Sequence, residues 1–198
     1  MLKIGITGGI GAGKTTVCRI FATLGIPVFY ADEESKRILF TDASALDRVR
    51  KIFGEEVFTN EIPDRKKLAT IVFSNPEKLR ELNSILHSAV FQHFDDWLLE
   101  KKHSSYILME AALIYETARE GFLDKVIVVS APEEIRIRRI MMRDKISEAD
   151  IRARMKQQFS QELKEQKADF IIENDENQLL IPQVMEIHEE LLSLAKNK

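Results

Sequence analysis

Residues Thr7-Gly8-Gly9-Ile10-Gly11-Ala12-Gly13-Lys14-Thr15-Thr16 imply chemistry more directly than any other part of this 198-residue chain. Inside them, Gly8-x-x-x-x-Gly13-Lys14-Thr15 is a complete phosphate-binding loop pattern. Glycines let the backbone take positive φ and approach a ligand closely. The N–H groups they expose, at the start of a helix, form a concave anion site that the helix dipole reinforces. Lys14 has the reach for β- and γ-phosphates, and the Thr15 hydroxyl is a ligand for Mg²⁺. The expectation is a nucleoside triphosphate held by Gly11, Ala12, Gly13, Lys14, Thr15 and Thr16. The loop alone does not distinguish a kinase from a GTPase or an ATPase motor.

Carboxylates and arginines further along could complete such a site. Asp32 stands just past a second apolar run, at the carboxyl edge where open α/β sheets bind ligands. It could take a hydroxyl proton or hold Mg²⁺ through water. It would also suit the N-cap of a helix over 33–40. Glu110 ends the apolar run Tyr106–Met109 and is placed to orient Mg²⁺ or its water. Glu116 could bind a substrate or cap a helix. A basic arm follows, with Arg136, Arg138, Arg139, Arg143, Lys145, Arg152, Arg154 and Lys156. Arg139 and Arg143 are four apart and share a helix face. Two planar guanidinium groups there suit a transferred phosphate. Arg136, Lys145 and Lys156 read as a solvated face, and Arg154 and Gln158 repeat the four-residue spacing on the next helix. His87 reads as a packing residue. His93, His103 and His188 show no partner pattern, and no His/Cys cluster has zinc-ligand spacing.

These residues need a scaffold, and the apolar pattern supplies one. A strand over 2–7, the loop, a helix ending near Leu24-Gly25 and a strand over 27–30 make a βαβ unit, hence a parallel sheet. From Glu33 to His103 the pattern is helical, with helices over 35–40 and 43–53, one opening at Asp64, and one from Asn75-Pro76 to about Lys101. Strands resume over 106–110, 125–130 and 168–174. Between the last two lie a basic helix from Pro132 and another from Ser147 to about Phe159; a final helix ends near Leu194. The expected fold is α/β: a five-stranded parallel sheet flanked by helices. Its core is 1–32, 104–135 and 168–198, with an inserted helical substrate lobe at 33–103 and a helical lid at 136–167. Composition agrees with one ordinary globular domain, at 44% hydrophobic and 31% charged. A net charge of −3 disfavours general nucleic-acid binding, and no apolar run is long enough for a bilayer. One cysteine, Cys18, and no leader segment point to a reducing compartment, the cytoplasm. Cys18 belongs on the packed face of the first helix.

No guanine-reading NKxD, no DxxG segment and no LSGGQ signature is present, which leaves a small-molecule or nucleotide kinase. At this point the whole chain resembles the dephospho-coenzyme A kinase family. The loop resembles TGGIGSGKS(T). Leu24-Gly25-Ile26-Pro27-Val28 with Ala31-Asp32 is similar to LG…V.DAD. Asp64-Arg65-x-x-Leu68-x-x-x-Val72-Phe73 is similar to DR..L...VF, and Leu82-Asn83-x-Ile85-Leu86-His87 to L..I.HP. Leu113–Glu116 parallels PLLFE, Arg154–Gln158 RI..Q, and Ala168–Asn174 AD.VI.N. Order and spacing carry the match, since each segment alone is weak.

The resemblance implies transfer of a phosphoryl group from ATP to the ribose 3′-hydroxyl of dephospho-CoA, giving ADP and CoA, the last step of CoA biosynthesis. It implies Asp32 as the base orienting that hydroxyl, and Lys14, Mg²⁺ and Arg139 as stabilisers of the transferring group. Arg65 and His87 would hold dephospho-CoA, and Arg143 and Asn174 would lie near the nucleotide. Glu110 and Ala112 stand where the family has Asp and Pro, Tyr30 replaces the first Asp of DAD, and Ser88 follows His87 in place of Pro. The partner is thus a small molecule, and the chain is expected to be a monomer or weak homo-oligomer. Another small-molecule or nucleoside monophosphate kinase, or a nucleotide-binding module without turnover, remains open from the residues alone.

Overall fold

In the computed structural model, strand β1 (Leu2–Thr7) alternates its side chains between two buried faces. Ile4 and Ile6 enter one cluster, and a side chain at Gly5 would strike Leu123 and Ile114 on the other face. The description covers residues 1–197, without the side chains of Phe73 and Ser74. Lys198, the end of the expected core segment, and the Phe73 side chain of the VF pair therefore lie outside the described residues. Two compact units emerge: Met1–Tyr30 with the chain from Lys101 onward, and Ala31–Glu100.

The first unit holds helix α1 (Lys14–Thr23) and strand β2 (Val28–Tyr30) after the loop. The second unit then holds helices α2 (Ala31–Thr41) and α3 (Ala43–Phe53), strands β3 (Phe58–Thr59) and β4 (Ile62–Pro63), and helices α4 (Arg65–Ser74) and α5 (Pro76–Glu100). The chain returns to the first unit with strands β5 (Tyr106–Glu110) and β6 (Lys125–Ser130). Helices α6 (Glu133–Asp144), α7 (Glu148–Met155) and α8 (Gln161–Gln166) follow, then strand β7 (Phe170–Glu173) and helix α9 (Leu180–Lys196).

The main sheet has five parallel strands in the order β2-β5-β1-β6-β7. Along β6, Ile127 and Val129 join the cluster with Val17, Cys18 and Phe21 of α1 and Val184 of α9, while Val126 and Val128 join one with Ile114 and Tyr115. Both faces are covered, as a parallel sheet requires. Cys18 is fully buried where expected; burial, and then the negative charge of Glu110, push its thiol far up.

Three elements differ from the sequence expectation. The helical stretch contains a two-stranded hairpin, β3–β4, turned by Asn60 and Glu61 at φ 51° and 65°. Two-residue strands carry no periodic signal, and Asn-Glu lacks the glycine that usually marks this turn. The helix from Ser147 stops at Met155, and a separate six-residue α8 begins after Ser160, whose hydroxyl accepts from Leu163 N–H. Helix α2 begins at Ala31, so Asp32 lies inside the first turn, not at a cap. The other starts agree: Asp64 Oδ1 accepts from Lys66 N–H at 2.8 Å, and Asn75 Oδ1 from Glu77 N–H at 2.9 Å.

Candidate active site

The phosphate loop runs from the end of β1 to the start of α1. Gly13 is the N-cap of α1 with φ 97°, and a Cβ there would collide with Asn174 Nδ2. Both the left-handed backbone and the close approach require glycine. Lys14 and Thr15 lie in the first turn of α1, where backbone N–H groups have no intrahelical acceptor. Those donors and the helix dipole form an anion site. Lys14 Nζ donates to Gly8 O at 3.2 Å and lies 4.0 Å from Glu110 Oε1. Their side chains are 11% and 8% exposed, so this charge pair is little screened by water. Glu110 ends β5, opposite Ile6 in the parallel register, which carries its carboxylate to the carboxyl edge beside the loop.

Arginine and asparagine close the far side of the loop. Asn174 directly follows β7 and donates from Nδ2 to Ala12 O at 2.7 Å. Arg139 Nη2 donates to Asn174 O at 3.1 Å and Oδ1 at 3.2 Å, and to Glu176 Oε1 at 3.3 Å. Among the described residues Arg139 Nη1 is buried without a hydrogen-bond partner, and it lies 3.9 Å from where a Gly13 Cβ would be. A guanidinium donor left unmatched beside an anion loop fits an oxyanion ligand. Gly13, Lys14, Glu110, Arg139 and Asn174 thus converge from four chain segments: the loop with the start of α1, the end of β5, α6, and the residue after β7.

Other expected residues stand elsewhere. Arg143, one turn beyond Arg139, is exposed and forks onto Asp144 at 2.7 and 3.0 Å. Glu116 Oε1 accepts from Phe159 N–H at 2.8 Å and pairs with Lys164 Nζ at 2.8 Å. Thr15 and Thr16 are exposed in the first turn of α1. In the second unit, Asp32 is exposed at the start of α2. There the Arg65 guanidinium stacks 4.5 Å from the Phe40 ring centroid, and His87 is half-buried on α5.

One expectation is overturned. Arg136 is not on a solvated face: it is 7% exposed, and its Nε donates to Ala131 O at 3.0 Å. Helical spacing gave a face but not what covers it; the loop at Gly9 does. Burial lowers its guanidinium pKa, opposed by the charges of Glu133, Glu162 and Glu165. Two further residues escaped sequence reasoning. Lys164 is fully buried, its ammonium shared between Glu116 and Ala112 O at 2.9 Å; burial lowers its pKa and Glu116 opposes the shift. His93 has two partners, Glu34 Oε1 at 2.7 Å and Asp42 Oδ2 at 2.9 Å. An ammonium in a strongly apolar run would have been a signal; Lys164 sits in the polar stretch Gln161–Gln166 and gave none.

Comparison with known proteins points to one family. The dephospho-CoA kinase family model matches residues 2–179. A dephospho-CoA kinase of Bacteroides fragilis is 38% identical over 186 residues, 94% of this chain and 91% of that protein. One from Fusobacterium nucleatum is 39% identical, covering 89% of this chain and 91% of its own. Among solved structures, a Thermus thermophilus protein superposes with TM-score 0.82 at 30% identity, covering 97% and 96% of the two chains. A dephospho-CoA kinase from Campylobacter jejuni superposes with TM-score 0.70 at 30% identity over 96% and 97%. A five-stranded parallel sheet, a phosphate loop that converges with lysine, arginine and carboxylate, and a family match over most of the sequence lead to one conclusion: the chain belongs to the dephospho-CoA kinase family of ATP-dependent phosphotransferases.

Proposed function

We propose that this protein transfers the γ-phosphoryl group of ATP to the ribose 3′-hydroxyl of dephospho-CoA, forming ADP and CoA. The supporting observation is the convergence of Lys14, Glu110, Arg139 and Asn174 on the loop, with Arg139 Nη1 buried and unpartnered beside Gly13. Loop N–H groups and Lys14 hold the β- and γ-phosphates. Arg139 turns its spare donor to the transferring group as equatorial charge develops. Asp32 orients the acceptor hydroxyl and takes its proton. Arg65 and His87 hold dephospho-CoA from the helical lobe 33–103, Arg143 and Asn174 border the nucleotide, and Glu116 positions the lid 136–167.

Thr15 and Glu110 are the residues that fit Mg²⁺. Among the described residues no group of three His, Cys, Asp or Glu side chains could hold a metal by itself. That suits Mg²⁺, which takes one or two protein oxygens and completes its shell with phosphate and water. When bound there, Mg²⁺ would neutralise negative charge on the phosphates. The single buried cysteine accords with the cytoplasm as the place of action, and among the described residues no helix is long and apolar enough to cross a membrane. We take the active form as a monomer or weak homo-oligomer.

A coupled assay of ADP release tests the reading. With Mg-ATP, turnover is expected with dephospho-CoA and not with AMP, dTMP or shikimate. Turnover with a nucleoside monophosphate and none with dephospho-CoA would overturn it. ATP binding without turnover on any acceptor would leave a non-catalytic module.

A further inference from the structure

The phosphate loop has two limbs, and its first limb is gripped from the far end of the chain. Gln158 Oε1 accepts from Ile10 N–H at 2.9 Å, and Gln161 Oε1 accepts from Gly9 N–H at 3.3 Å, across 148 and 152 residues of sequence. The Gln161 amide has its orientation set for it. Its Nε2 donates to Glu165 Oε1 at 3.0 Å, and the same carboxylate oxygen accepts from Ser130 Oγ at 2.5 Å. A carboxylate only accepts, so the amide nitrogen faces Glu165 and the amide oxygen faces Gly9. Gly9 is also confined sterically: a Cβ there would collide with Arg136 Nη1 and lie 3.2 Å from Gln161 Oε1. On its inner side the turn closes on itself, with Ala12 N–H donating to Gly9 O at 3.0 Å.

We propose that Gln158 and Gln161, with Glu165 orienting the second, are positioning residues that brace the phosphate loop in its nucleotide-binding shape. The inference rests on the kinase reading for what the loop binds. The two glutamines satisfy the first-limb donors, so Gly9 and Ile10 do not compete for other acceptors. The remaining donors, at the start of α1, then converge on phosphate without reorganising. Unbraced, the glycine-rich limb samples other backbone states, and apparent nucleotide affinity falls with the fraction of loops in the competent one. Packing alone does not hold the amides, because Gln158, Gln161, Arg136 and Glu165 all line a cavity of about 650 Å³. That space also accommodates substitutions without overpacking.

The experiment is calorimetric titration of ADP into the full chain, with KM for ATP and for dephospho-CoA measured in parallel. Gln158→Leu and Gln161→Leu each remove one acceptor and should weaken ADP about tenfold. KM for ATP should rise in step, while KM for dephospho-CoA stays within about twofold, a split that a loss of folded protein would not produce. Gln158→Glu keeps an acceptor at the same reach and should recover most of the affinity. Leucine variants that bind ADP like wild type, or a Gln158→Glu no better than Gln158→Leu, overturn the proposal. Where a leucine variant lacks a cooperative melting transition, Gln161→Glu decides. It preserves size but sets a second carboxylate against Glu165, and repulsion should turn it from Gly9 and weaken ADP at least tenfold. Wild-type affinity in Gln161→Glu also overturns the proposal. A wild-type protein that binds ADP but does not phosphorylate dephospho-CoA would sink the substrate reading alone, and the ADP affinities would still judge the brace.

Discussion

At the scale of single residues, three cations near the loop do different work. Lys14 is poised between Gly8 O and Glu110, and in the proposed reaction its charge acts on the phosphates. Lys14→Ala should lower kcat/KM by about 10²-fold or more, because removing one preorganised group costs that much in comparable sites. A loss under about tenfold would remove Lys14 from the role assigned here. Arg139 presents a planar fork with one arm on Asn174 and one arm spare. Arg139→Lys should therefore restore little kcat lost in Arg139→Ala, since an ammonium cannot grip in both places. Full activity in Arg139→Lys would make the arm a diffuse positive field. Arg136 belongs to the fold. Its buried stem and its bond to Ala131 O make Arg136→Ala a stability variant, costing about 2–4 kcal/mol through the cavity and the orphaned carbonyl. Thermal melting checks this: an unchanged midpoint would return Arg136 to the surface.

At the scale of elements, His93 ties α5 to α2 and to the cap of α3. Each ring nitrogen faces a carboxylate, and Asp42 meanwhile caps α3 by accepting from Ala45 N–H at 2.7 Å. Both bonds are fully made only by the imidazolium, since a neutral ring has a single donor. The hydrogen bond to Glu34 raises the His93 pKa above its usual 6.5, against partial burial and with help from Asp42. Arg37 and His93 together hold the Glu34 carboxyl below its usual range, and the Ala45 N–H and His93 do the same for Asp42. The sign follows from linkage. The His93 contribution is complete below about pH 6.5 and is lost as pH rises through the higher folded-state value. The carboxylate contributions are lost only in acid, as pH falls through their depressed values. Urea midpoints of the full chain should therefore fall as pH rises from about 6.5 through the raised His93 value. His93→Gln should flatten that slope; an unaltered slope would mean the triad does not titrate there.

At the scale of the whole molecule, the chain leaves one compact unit after Tyr30 and enters the other at Ala31. Asp32 is the second residue past that point, in the first turn of α2 with Glu33 and Glu34. Its charge there complements the helix dipole, a term worth roughly 0.3–1 kcal/mol. Asp32→Asn removes the charge, and with it the base of the proposed reaction, while keeping the shape. The expected result is a kcat loss of order 10²-fold or more with a melting temperature almost unmoved. Equal kcat would leave Asp32 only its place in the helix.

Local order made much of this protein legible in sequence. The loop, its strand and its helix are contiguous, so residue type and spacing determined Gly13, Lys14 and Thr15 and the βαβ unit around them. Strand-end positions were equally readable, because the apolar run of β5 stops at Glu110 and so places it at the strand's carboxyl end whatever packs on it. Asp64 and Asn75 announced α4 and α5 through capping chemistry that acts within three residues. Tertiary structure decided everything that depends on who covers whom. Arg136 looked solvated until Gly9 was folded against it, and His93 looked partnerless because its carboxylates lie 59 and 51 residues away. Lys164 meets Glu116, and Gln161 meets Gly9 across 152 residues, only when the sheet brings the carboxyl ends of β1, β5 and β6 side by side. A charge in a sequence has no environment until the chain closes round it, and burial and pairing set what that charge does.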